Sequence, residues 1–537
     1  MVDPLSSKKH WVLFILCLAQ FSLSADVSNL SISTATLVSI FDTDVASIQL
    51  LGSIQPLVGA AFMLSSSMLG LMIGWRRLLI LGACIGLCSS LGFLIIKDIK
   101  AITFLVRPFA GIAAAMMLPA VLALVVAHFP KKKRALGFGL MAAATGLAAA
   151  IIPLFSGWVY DNLSWKWSFF AISTCYGATL IGSIIMIKPI DSNNRTRFDI
   201  TGSILCSVSI MIMFLGLIKM PHWGAVITLT SADIPSWLNF SGALSPAFTL
   251  FLIGVTIFGF FIKQQLRFER QHGVALFPIS WLTHSATRNG FIILSLMYVI
   301  LGGSSFVIVT YLQVAVNLSS SHSGAIVLLF SASMILSSVL TPILFSHSST
   351  RALSSAAFIG IITAGAILIL SSHERGIQVG FYLGMMLLGG AMGTLASQCP
   401  VIITKALGER DAEQSGGLQA TVRNMGLVLG ISLLGGVNQL ALDDKIRSNS
   451  LIIFSYPAPF TQSMNETSRI PYVNDNKVES IAHSFGLSQQ QKAYLVRTNA
   501  TARVKGFNSA LLLLILVALV GLRFSLKVDR ESLTQTS

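Results

Sequence analysis

Apolar residues run along this chain in long unbroken blocks separated by short polar joints. Fourteen blocks are near the length of a membrane span, at about 11–32, 47–68, 78–96, 101–127, 135–158, 165–187, 200–219, 246–263, 289–312, 324–345, 353–371, 378–403, 415–441 and 506–524. About 20 helical residues cross a hydrocarbon layer of ~30 Å. Continuous apolar runs predict helices, because barrel strands would alternate apolar and polar positions over roughly ten residues. The fold class expected is therefore all-α integral membrane with 14 transmembrane helices. Most joints are too short for a soluble domain of ordinary size. The longest polar piece, 443–505, reads as a loop.

Composition agrees with lipid as the main solvent. Of 537 residues, 54% are apolar and only 11% charged, less than half the usual charged share of a soluble domain. The net charge of +15 raises nucleic acid as a partner until the charges are placed. With the N-terminus inside, the inside segments and tails carry 21 basic residues. The short outside joints carry five, Lys97, Lys100, Lys166, Lys219 and Arg375. The 443–505 loop is too long to count in this bias. The orientation expected is multi-pass with both termini inside, the basic loops facing anionic lipid, and no nucleic-acid partner. Lys8 and Lys9 precede the first block, but no small-residue cleavage site follows it, so it reads as a retained span. The short N-terminal tail suggests a bacterial inner membrane, the plasma membrane of the cell.

Enzyme signatures are missing. There is no GxxxxGK[ST] phosphate loop, no HExxH and no GxSxG. The six cysteines all fall inside expected spans and make no metal pattern with histidine. The expectation is a protein that is not an enzyme and holds no metal or cofactor.

Ionisable residues inside the blocks carry the functional signal, since a charge in hydrocarbon is costly without a partner or water. Two lie clearly within spans, Asp26 and Arg107. Asp26 stands roughly 22 Å along the first helix and Arg107 roughly 8 Å below the outer surface in the fourth, so the depths agree. The two can pair or share a watered cavity, with Asp26 as a proton site tuned by Arg107. The alternative is that Asp26 caps a broken first helix and Arg107 snorkels. Gln20, Asn29, Gln55, Gln313 and Gln398 are candidates to line a midplane cavity, or else to bond between helices. Arg423, beside Asn424 near the inner end of its span, reads as a snorkelling side chain.

These residues resemble the major facilitator superfamily, and within it the fourteen-span drug:proton antiporter branch of multidrug efflux type, over nearly the whole chain. Asp26-Val27-Ser28-Asn29 resembles the branch's first-span motif. Arg107, Gly111 and Pro119 in RPFAGIAAAMMLPA resemble its fourth-span arginine motif. FPKKKRALGFGL, Trp165-Lys166-Trp167, the segment from Phe198 to Gly202 and that from Glu413 to Gly430 resemble further family positions. The resemblance implies a tail over 1–10, a six-helix bundle over 11–187 and a linker region with two extra spans over 188–288. A second bundle follows over 289–524, with the outside loop 443–505 within it, and then a tail over 525–537. It also implies proton coupling through Asp26 and Arg107, powered by the proton motive force. Gating or hinge roles fall to Gly74, Arg76, Arg77, Pro153 and Gly157.

Two motifs are degenerate. Leu71 replaces the acidic residue of the gating motif between the second and third spans. In the fifth span Ile152 stands where the family has glycine before Pro153, and Ser156 replaces a second glycine. Such glycines let a helix bend and approach its neighbours during alternating access. The reading expected is a secondary active transporter that exports a small amphipathic compound by proton antiport. The departures keep open a proton-coupled importer or a specific metabolite or siderophore carrier of the same fold. A non-transporting receptor or assembly subunit, and a periplasmic adaptor meeting the 443–505 loop, are further partner and function classes left open.

Overall fold

The apolar blocks fold as helices throughout. The computed structural model describes residues 4–32, 41, 45–188, 198–224, 226–228, 234, 244–273, 275–318, 320–374, 376–453, 456–466, 470 and 472–528. Its 14 candidate spans match the expected number and order. They are α1 (Pro4–Ile32), α2 (Val45–Ile73), α3 (Trp75–Ile95), α4 (Ile99–His128), α5 (Lys131–Asn162), α6 (Lys166–Met186), α7 (Ile200–Trp223), α8 (Pro246–His272), α9 (Ser285–Ala315), α10 (Ser320–Leu344), α11 (Thr350–Leu370), α12 (Val379–Gly408) and α13 (Ser415–Ser448). Two short helices, α14 (Ala458–Glu466) and α15 (Asp475–Ser484), precede the last span, α16 (Gln489–Ser525). Fourteen crossings place both ends of the chain on one side, called here the terminal side.

Helix neighbours repeat between the halves. In the first, α1 packs on α5 and α6, α2 on α4, and α3 on α4 and α6. In the second, α9 packs on α13 and α16, α10 on α12, and α11 on α12 and α16. The close approaches rest on small residues, as packing between apolar helices requires. Gly82 and Gly86 of α3 lie against Met117 and Tyr176, and Gly426 and Gly430 of α13 lie against the α9 backbone. Helices α7 and α8 pack on each other, and Ser207 of α7 donates to the Ala61 carbonyl of α2.

The halves meet along α5 with α10 and along α2 with α13. Tight contacts sit toward the terminal side. Gly139 meets the Ser338 carbonyl, Gly417 meets the Ser67 side chain, and Gly416 meets the Pro119 carbonyl. Gly139 is ~12 Å from the start of α5 and Ser67 ~9 Å from the end of α2, which puts both in the terminal-side half of the spans. Toward the other side Gly324 faces Leu154 across the same seam with room for a Cβ at ordinary contact distance.

Two sequence expectations change here. The first helix is unbroken from Pro4 to Ile32, so Asp26 caps nothing. The 443–505 region is not a plain loop. The helix of α13 continues to Ile453, α14 and α15 come next, and α16 begins at Gln489. Apolar windows end at the hydrocarbon boundary, whereas the backbone hydrogen bonds of a helix have no reason to stop there.

Candidate functional site

Asp26 and Arg107 meet. Arg107 Nη1 lies 3.0 Å from Asp26 Oδ1, and the two residues are 5% exposed for Asp26 and 2% for Arg107. Gln55 of α2 closes the triangle, its Nε2 donating to Asp26 Oδ2 at 3.1 Å while its Oε1 accepts from Arg107 Nη2. A carboxylate, a guanidinium and an amide from three helices thus satisfy one another inside the first half. A buried pair is tolerated only when its remaining hydrogen-bonding groups are also met, and Gln55 meets one on each partner. Arg107 Nε is left without a hydrogen bond.

Local sequence explains how Arg107 reaches this position. Pro108 would drive its ring into the carbonyl four residues back in a regular helix. The chain instead makes a π turn over Ile102–Val106, and Arg107 N bonds to the Ile102 carbonyl. A π turn rotates the helix beyond it, and such turns recur at functional sites. Beyond the triangle, away from the terminal side, Leu30, Leu51, Phe93, Ile102, Val106 and Phe169 form an apolar cluster with Trp165 against it.

The other sequence candidates fall in different places. Asn29 Oδ1 accepts from Ser168 Oγ at 2.7 Å, and Ser168 bonds to Ser156, which ties α1, α5 and α6 together. Ser156 thus has a specific partner. Gln20 Nε2 donates to Thr145 Oγ1 at 3.0 Å and its Oε1 is unbonded. Gln398 is buried on α12, in the other half, with its Nε2 3.2 Å from Ser397 Oγ and its Oε1 unbonded. Gln313 is apart from all of these and is exposed, in a π turn over Tyr311–Ala315 at the far end of α9. Gly74 joins α2 to α3 with φ 93°, a conformation that needs glycine. Arg76 Nη2 donates to the Ile184 carbonyl at 2.7 Å, capping the end of α6, and Arg77 is exposed. Pro153 and Gly157 lie outside the residues whose side chains are described.

Two arginines depart from the sequence expectation. Arg423 has a partner the sequence did not indicate: its guanidinium lies over the Tyr298 ring of α9, 5.0 Å from the centroid. Arg503, inside the supposed loop, is 1% exposed. It pairs with Asp475 Oδ1 at 2.5 Å and donates to the Val314 and Val473 carbonyls at 3.0 Å. The π turn at the end of α9 leaves the Val314 carbonyl available, and Arg503 fills it. Beside it, burial pushes the Tyr472 hydroxyl above its ordinary value, with Arg503 opposing. The signal that could have shown Arg503 is the helical spacing of Leu495, Asn499, Ala502, Gly506 and Ala510.

The helices thus form two matching halves, with a charge pair buried in one of them. The model of the Major Facilitator Superfamily matches residues 16–431. The chain belongs to that superfamily. Members of that superfamily are transporters rather than enzymes, and this chain is a multi-pass membrane protein. It is 23% identical over 384 residues to a probable actinorhodin transporter of Streptomyces coelicolor, covering 70% of this chain and 63% of that protein. It is 24% identical over 388 residues to a tetracenomycin C resistance and export protein of Streptomyces glaucescens, covering 70% and 66%. The facilitator thus spans a little under two thirds of the length of these curated relatives. A resistance and export protein among the relatives agrees with the drug-efflux branch. The human organic anion transporter MFSD10 has a similar solved structure, with TM-score 0.56 and 11% identity over 96% of this chain and all of that one, which shows the fold.

Proposed function

We propose that this facilitator exports a small amphipathic compound in exchange for protons, by alternating access across a bacterial inner membrane with both termini inside. The observation that carries the proposal is the Asp26–Arg107 pair with Gln55. Arg107 and Gln55 hold both oxygens of the Asp26 carboxylate, and a proton delivered to that carboxylate would remove the charge that Arg107 pairs with. A transporter couples proton movement to conformation when its two access states bind the proton with different affinity. Rocking of one half against the other along α2–α13 and α5–α10 would change the geometry around the triangle. In this reading the first half, 11–187, and the second, 289–524, are the moving bodies, and the region 188–288 travels with α2 through the Ser207–Ala61 bond.

The relative named as a resistance and export protein supports export for this chain. In α5, Ser156 is bonded to Ser168.

The test uses everted vesicles with an acid interior and a pH-sensitive fluorophore, with a panel of amphipathic dyes, aromatic antibiotics and metal chelators added in turn. The expected result is that some compound releases protons from vesicles holding the wild type and not from those holding Asp26→Asn. Movement of compounds without any proton signal, or a mutant equal to wild type, would leave a facilitator or importer in which Asp26 is structural.

A further inference from the structure

Arg423 stands at the seam between the halves. Gly416, Ala420 and Arg423 succeed one another at helical spacing on α13, which places them on one face. Gly416 packs on Pro119 and Ala123 of α4, and Ala420 belongs to the apolar core of the first half. The next residue, Asn424, donates to Met63 Sδ of α2 at 3.3 Å. Arg423 therefore borders the surface along which the two bundles meet, ~12 Å along α13 from Ser415 and within the span Ser415–Ser448.

Its surroundings are those of a binding group rather than a structural one. Among the described residues no carboxylate lies in ion-pair contact with it, in contrast to Arg107 and Arg503, each of which has its aspartate. Its guanidinium instead rests on the face of Tyr298, 5.0 Å from the ring centroid, and the side chain is half-buried. A cation–π contact offsets only part of the cost of holding a charge at this depth. It also uses the face of the guanidinium and leaves the in-plane N–H donors for an acceptor. Among the described residues the buried acids are engaged, Asp26 by Arg107 and Gln55 and Asp199 by Gln264, Gln265 and the Gly202 N–H. Arg423 thus places a positive charge at the seam, bordered by an aromatic ring.

We infer that Arg423 and Tyr298 form the substrate subsite, and that the cargo is an aromatic carboxylic acid, its carboxylate on the Arg423 N–H donors and its ring beside Tyr298. A planar acid matches the guanidinium fork in a paired hydrogen-bond geometry that an ammonium or a neutral amide does not reproduce. This inference deepens the transport reading above, and it concerns binding alone. Inward protons and an outward anion both move positive charge inward, so such a cargo would be driven by the membrane potential as well as by the pH gradient.

The experiment is equilibrium binding to the full-length protein in lipid nanodiscs, without any gradient, using three probes of one ring system: 1-naphthoate, 1-naphthamide and 1-naphthylmethylammonium. Wild type should bind naphthoate at least tenfold more tightly than either other probe. Arg423→Gln should abolish that preference and leave naphthamide binding unchanged, which also reports a folded protein. Arg423→Lys should restore part of it. Tyr298→Leu should weaken naphthoate and naphthamide alike, and Tyr298→Phe should weaken neither. Equal binding of the three probes by wild type, no binding of any, a preference for the ammonium, or an unchanged preference in Arg423→Gln would each overturn the inference. Asp26→Asn should keep the naphthoate preference even where it loses proton release, so failure of the coupling mechanism and failure of the subsite give different results.

Discussion

Asp26 is 5% exposed and Arg107 2%, so neither charge has water to fall back on. Removing one partner of such a pair strands the other, at a cost of about 3–5 kcal/mol. Asp26→Asn is therefore expected to lower the thermal unfolding midpoint in detergent, and the double variant Asp26→Asn with Arg107→Gln is expected to recover most of the loss. A double variant no more stable than the single one would mean that the pair does not carry this energy. Gln55→Leu, which removes a donor to Asp26 and an acceptor from Arg107, should cost about 1–3 kcal/mol in the same measurement. The agreement in depth between Asp26 and Arg107 was legible from residue counting along two helices. The participation of Gln55 over Gln313 was not, because both are amides in apolar blocks and only packing distinguishes a buried residue from an exposed one.

Helix α16 and the seam helices carry the next set of expectations. Arg503 links α16 to α15 and to the π turn of α9 through three partners. Arg503→Ala should loosen that far end by about 2 kcal/mol, read as faster proteolysis within 443–488 with little change in naphthoate binding. At the other end Gly417 lies against Ser67 with no room for a side chain. Gly417→Val should force α2 and α13 apart at a cost of about 1–3 kcal/mol. A cysteine introduced as Met63→Cys should then react faster with a thiol reagent applied from the terminal side; an unchanged rate would show that this contact does not seal the seam. Helix existence was readable from apolar run length, while helix ends outside the lipid were not. The π turn before Arg107 was implied by Pro108 only once the neighbouring helices fixed where α4 had to go.

Across the whole molecule, two halves with a matching neighbour pattern are joined by tight contacts toward the terminal side. If the termini lie inside, Arg77→Cys should label only from the cytoplasmic face and Gln490→Cys only from the opposite face, in whole cells treated with a membrane-impermeant reagent. The reverse pattern would invert the orientation and with it the direction of export.

The amino-acid sequence determined the solvent, the number of spans and their order along the chain, because burying this many apolar residues with so few charges leaves lipid as the only surrounding that suits them. It also singled out Asp26 and Arg107, since ionisable side chains in hydrocarbon are rare enough to stand out one at a time. Tertiary structure decided which polar groups share a site, that Arg503 is buried and that Arg423 faces Tyr298 at the seam. Those outcomes depend on which helix faces meet, and facing is set by rotation and close approach between segments far apart in the chain.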